Sequence, residues 1–253
     1  MKSLFFVFLV LISCNNAKLP IENRLQINIP TVEEETEYIW RNIIDTKFFE
    51  EYNYQVSLPD DPLIEELKER SKVNQLSDQD YEDLKTLMRE TVYKAQDYQQ
   101  GYYQILAQKE LVNQMIQKMD AVQKDWAFQS YEQYSINLTL YGPGGSYQPD
   151  AGSVLIFTTV DGKFKMYENP ANTIIHEIWH IGTEASIMQA LKVPHPVKER
   201  IIDRLVLLHH AAELPDYRLQ NFGDARIDPY LQEAEDVQAL DQVVRQFMVD
   251  FYQ

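Results

Sequence analysis

The hydrophobic period of this chain changes near residue 134, and that change limits the folds open to it. Upstream, Leu84, Leu87, Met88, Val92, Ala95, Tyr98, Tyr102 and Ile105 open a series that continues to Trp126 at steps of three and four. This spacing draws one apolar stripe along a helix. Downstream, residues 135–141 (SINLTLY) and 153–160 (SVLIFTTV) alternate or run apolar with β-branched side chains, the mark of strands. Asp161-Gly162 predicts a hairpin turn into a third short strand near residues 163–167. Together the two periods predict an α+β fold, a mainly helical N-terminal half followed by a small sheet.

Punctuation fills in the helical half. Thr31 followed by Glu33, Glu34 and Glu35 reads as an N-cap with acids in the first turn, opening a helix through Tyr38, Ile39, Ile43 and Phe48. Residues 59–62 (PDDP) precede a short helix, Ser77 caps the next, and Gly101 predicts a break or bend in the long one. The Gly-rich stretch 142–145 lacks the Lys-Ser/Thr of a phosphate loop and opens no helix.

The N-terminus carries an address. Lys2 precedes an apolar run over residues 4–12 (LFFVFLVLI), too short to span a bilayer and of the length of an export signal. It ends in Leu11-Ile12-Ser13-Cys14, which resembles the lipobox of bacterial lipoproteins. That resemblance implies loss of residues 1–13 as a signal peptide and lipidation of Cys14, with acyl chains numerous enough for stable membrane anchoring. Asn15 and Asn16, where an Asp would signal inner-membrane retention, point to the outer membrane, facing the periplasm. Residues 14–30 are polar and irregular and read as a tether. With 1 Cys in the chain, a disulfide framework and a Cys-rich zinc module are excluded. A surplus of 39 Asp+Glu over 23 Lys+Arg, net −16, argues against nucleic acid as a partner, since phosphate binding needs clustered cations.

Asn169-Pro170 predicts the cap and first position of a helix running to about residue 191. Inside it lies His176-Glu177-Ile178-Trp179-His180, the HExxH pattern. Residues four apart share a helix face, so His176 and His180 can present two imidazoles to one zinc ion. Glu177 stands beside them as the general base for a metal-activated water. A third ligand must come from elsewhere. A metzincin would place Gly and His at 183 and 186, where this chain has Thr183 and Ser186. Glu184 lies two turns from His176, about 12 Å along the axis, and fits a neighbouring role better than ligation.

After Pro194-His195-Pro196, a further helix carries Glu199 and, one turn on, Asp203; eighteen residues separate His180 from Glu199. Over residues 176–203 the chain resembles the gluzincin branch of zinc metallopeptidases, with HExxH followed by a Glu ligand in an ExxxD context. The resemblance implies that His176, His180 and Glu199 bind Zn2+, Glu177 is the general base, and Asp203 supports a ligand imidazole. It implies a zincin-like catalytic region over residues 134–253 behind the helical region of 31–133. It also implies a donor facing the base to stabilise the oxyanion, for which Tyr217, Tyr230, His209 and His210 are the downstream candidates. An edge strand, residues 153–160 or the 142–145 loop, is expected to hold extended peptide by backbone pairing. The expected function is a membrane-tethered zinc metallopeptidase acting on a peptide or protein substrate. The alternative is a non-enzymatic lipoprotein, a binding or scaffold module whose metal is structural and closed by four ligands.

Overall fold

A capping box starts the helical half. In the computed structural model, which describes residues 23–165, 168–221 and 223–252, Thr31 Oγ1 accepts from Glu34 N–H at 3.2 Å while Glu34 Oε2 accepts from Thr31 N–H at 2.8 Å. The expected signal peptide and Cys14 lie outside the described residues. In chain order the elements are β1 (Leu25–Asn28), α1 (Val32–Ile44), α2 (Thr46–Glu51), α3 (Pro62–Lys72), α4 (Asp78–Leu87), α5 (Gln99–Ala107) and α6 (Lys109–Ala121). There follow β2 (Tyr134–Thr139), β3 (Gly145–Gln148), β4 (Ser153–Phe157), α7 (Ala171–Thr183), α8 (His195–His210), α9 (Ala234–Gln238) and α10 (Leu240–Tyr252). The fold is α+β.

The sheet has the order β1-β2-β4-β3, with β1, β2 and β4 parallel and β3 antiparallel on the edge. Residues 25–28, expected to belong to an irregular tether, instead pair with β2 from Leu25↔Tyr134 to Asn28↔Asn137. Buried Arg24 fixes this strand by bonding Asp120, Ser130 and the Tyr131 carbonyl. The crossover from β1 to β2 therefore contains the whole helical half, as a parallel pair requires a long connection. Tyr134, Ile136, Leu138, Val154 and Ile156 form a buried core with Ile174, Ile175, Ile178 and Ile181 of α7. A second, smaller core joins α1, α3 and α4 through Ile39, Ile43, Ile64, Leu67 and Leu84.

Two local expectations change. The long helical stretch breaks at Tyr93-Lys94, where both residues are extended after a π-helical turn (Met88–Val92), and not at Gly101. Gly101 lies within α5, where a Cβ would stand 2.5 Å from Thr158 Oγ1, so the glycine serves close approach. The third strand expected near residues 163–167 is a single bridge between Thr158 and Phe164, beyond a turn at Gly162 (φ 79°); residues 166 and 167 are outside the described set.

Glu35 ties α1 to the end of β2. Its Oε1 accepts from Tyr98 O–H at 2.8 Å, Thr139 O–H at 3.0 Å and Leu140 N–H at 3.0 Å, while buried Oε2 has no protein partner. Burial pushes this carboxyl up to about 7. Its folded form thus keeps a proton that the unfolded chain releases near pH 4.5, so its contribution is full below that pH and is lost as pH rises through 7. Urea unfolding at pH 4.5 and 7.5 should show wild type losing about 3 kcal/mol more than Glu35→Gln across that window. Equal losses in the two proteins would refute this role.

Candidate metal centre

Helix α7 starts where the sequence places it, with Asn169 Oδ1 accepting from Ala171 N–H at 2.9 Å. It is buried almost throughout, so its imidazoles emerge inside the fold and not on a surface. His176 Nε2 and His180 Nε2 lie 3.1 Å apart. Helix α8 brings Glu199 Oε2 to 3.3 Å from the first and 3.4 Å from the second. Among the described residues this is the group of His, Cys, Asp and Glu side chains able to hold a metal ion.

The triangle fits a tetrahedral ion. Ligands about 2.0–2.1 Å from zinc at tetrahedral angles stand about 3.3 Å from one another, with a fourth position left over. The chemistry fits as well, since two imidazoles and a carboxylate are a zinc donor set. The three donors also set one another's charge. Burial opposes protonation of His176, yet Glu199, Glu177 and Asp203 together raise it to about 9. His180, by contrast, is taken down to about 4 by burial. Glu199 stays well below the usual carboxylate range: burial works against it, but His180 and His176 outweigh burial. Glu199 and His176 thus hold one another charged, beside a neutral His180.

Each imidazole has its own support. Tyr217 O–H donates to Asp203 Oδ1 at 2.7 Å, so its oxygen is left to accept from His176 Nδ1–H at 2.6 Å. Asp203, one turn beyond Glu199, lies 3.5 Å from the same nitrogen and acts mainly through the tyrosine. The His176 ring is thereby fixed with Nδ1 toward the tyrosine and Nε2 toward the cluster. His180 Nδ1 is buried without a protein partner. Its ring is held instead by Tyr147 of β3, stacked face to face at 4.6 Å with 7° between planes. Tyr147 O–H donates to Glu184 at 2.7 Å and accepts from Lys198 at 2.9 Å, so Glu184 positions a ring over a histidine and is not one of the clustered donors.

Glu177 faces a cleft of about 610 Å³ that also exposes His176, His180 and Glu199. The opposite wall carries Phe48, Tyr52 and Tyr54 from the helical half, with His195 packed among their rings. Burial, with Glu199 adding to it, pushes the Glu177 carboxyl up to about 7 against the pull of His176 and Lys198. Gly145 passes directly over this carboxylate, and a Cβ there would come within 2.3 Å of Oε1.

No family model, curated protein or solved structure matches this chain. The site therefore rests on its own geometry.

Several expected roles change. Tyr217 is 6% exposed, beneath the cluster with its hydroxyl engaged on both sides, and cannot donate into the cleft. His209 and His210 are buried against Trp179 behind α7. Tyr230 donates to Asp250 and packs on Phe247 and Phe251 of α10. None of these downstream candidates lines the cleft. Of the two expected substrate edges, β4 is paired on both sides and is excluded, while Gly145 belongs to the edge strand β3. The sequence reading missed Tyr54, Tyr147, His195, Lys198 and Gln220. His195 alone left a signal, four residues before Glu199 on one helix face, and its Nδ1 lies 3.5 Å from Glu199 Oε1.

Proposed function

We propose that this chain is a zinc-dependent metallopeptidase that hydrolyses peptide bonds in extended substrates. The observation that carries the reading is the three-donor triangle set beside Glu177 in an open cleft, under the edge strand β3. Zinc held there would supply Lewis acidity, polarising a carbonyl and bringing the pKa of water to about 7. His176, His180 and Glu199 would hold the ion, with Tyr217 and Asp203 orienting the first imidazole and Tyr147 the second. Glu177 accepts the proton of the attacking water and delivers it to the leaving amine, a role suited to a buried carboxyl that titrates near neutrality. The outer edge of β3 would pair with substrate backbone, delivering a carbonyl above Glu177. Tyr54, bonded to His195 Nε2 at 2.9 Å, lines the same cleft and takes over the oxyanion-donor role expected of the downstream residues.

The lipobox resemblance adds a location. Cys14 would anchor the domain to a membrane, probing substrates on the periplasmic side of the outer membrane. Among the described residues no helix is long and apolar enough to cross a membrane.

A peptide library incubated with the purified, zinc-loaded protein tests the activity. Cleavage should disappear on chelation and return with about one equivalent of zinc. Cleavage indifferent to chelation, or a library left wholly intact, would contradict the reading.

A further inference from the structure

The cluster has a further member that is neither histidine nor carboxylate. The terminal amide of Gln220 lies 3.1 Å from Glu199 Oε2 and 3.3 Å from His176 Nε2. Those separations match the 3.1–3.4 Å that the three donors keep among themselves. Toward these two donors the amide keeps the spacing that another ligand of the same tetrahedral ion would keep.

Its placement is built. Asp203 Oδ2 accepts the Gln220 backbone N–H at 2.6 Å, and Asp203 Oδ1 accepts the Tyr217 hydroxyl at 2.7 Å. One buried carboxylate on the helix that carries Glu199 thus pins both ends of the 217–220 turn. The turn delivers two groups to the centre, the Tyr217 oxygen to the back of His176 and the Gln220 amide to its front.

The amide suits both states of such a site. With its nitrogen inward, it donates to Glu199 Oε2 and faces His176 Nε2, the two atoms whose lone pairs a metal would take. When those lone pairs are committed to a cation, a half-turn of the amide brings the carbonyl oxygen inward, and the side chain becomes a neutral oxygen donor. We propose that Gln220 supplies the fourth donor to this metal centre at rest through its side-chain carbonyl, and that the attacking water takes its place when substrate binds. This rests on the reading of the cluster as a metal site. It implies a centre closed at rest by four protein groups, of which the uncharged one, carried on a turn and not on a helix, is the one to leave. The site would then open to the attacking water when a peptide enters the cleft and stay shielded otherwise.

The test compares wild type, Gln220→Ala and Gln220→Glu in the full chain, with thermal melts to confirm folding. Zinc affinity is measured by competition with a chromophoric chelator, and the visible spectrum of the cobalt(II) form is followed against pH. Gln220→Ala should bind zinc on the order of 10–100-fold more weakly. Its cobalt spectrum should shift with pH, the sign of a solvent-derived ligand, where that of wild type does not. Gln220→Glu should match or exceed wild-type affinity, because a carboxylate can accept the metal but cannot donate to Glu199. Unchanged affinity in Gln220→Ala, or Gln220→Glu as weak as Gln220→Ala, overturns the proposal while leaving the three-ligand site in place. Failure of wild type to bind either metal overturns the metal reading, and this inference with it.

Discussion

Alanine at His176, His180 or Glu199 should abolish metal binding by this chain while leaving it folded. Each residue supplies one corner of a triangle 3.1–3.4 Å on a side, and no other clustered carboxylate or imidazole among the described residues can move in to replace it. If a zinc site worth about 10–16 kcal/mol is divided over four ligands, losing one costs about 2.5–4 kcal/mol, roughly 10²–10³-fold in affinity. Tyr217→Phe, which removes only the hydroxyl between Asp203 and His176, should cost less, about 10–100-fold. Equilibrium dialysis with metal analysis reads both effects, and circular dichroism checks the fold. Retention of metal by Glu199→Ala with loss in Glu184→Ala would reassign the third ligand.

Glu177→Gln should keep the metal and lose the chemistry. The substitution preserves the shape that fits beneath Gly145 and removes only the basic oxygen. Glu177 is not among the clustered donors, so zinc content should equal that of wild type. Turnover of any peptide cleaved by wild type should fall roughly 10²–10⁴-fold, the usual cost of losing a general base. Equal turnover in the two proteins would remove Glu177 from the mechanism. The same comparison separates an enzyme from a metal-stabilised scaffold, because a structural site has no use for this carboxylate.

The parts of the site that were legible in the sequence are those fixed by helical periodicity. A spacing of four set His176 over His180 on α7, and a second spacing of four set Asp203 behind Glu199 on α8, before any tertiary contact was known. What escaped reading arrives across space. Tyr147 reaches His180 from a strand, and Tyr54 reaches the cleft from the far half of the chain. Gln220 comes from an irregular turn whose position depends on one carboxylate of another element. Tyr217, one of four downstream candidates for a donor into the cleft, lies beneath the cluster instead, because Asp203 captures its hydroxyl. The strand β1 escaped for a different reason. Four residues paired in parallel with a partner more than a hundred positions away carry no turn and no long alternation to announce them.

Anomalous diffraction at the zinc edge, from crystals of the zinc-loaded protein, shows whether His176, His180 and Glu199 form a metal centre. One strong peak is expected about 2.0–2.2 Å from His176 Nε2, His180 Nε2 and Glu199 Oε2. A zinc-loaded crystal with no peak at that triangle, or with its peak on other residues, would contradict it.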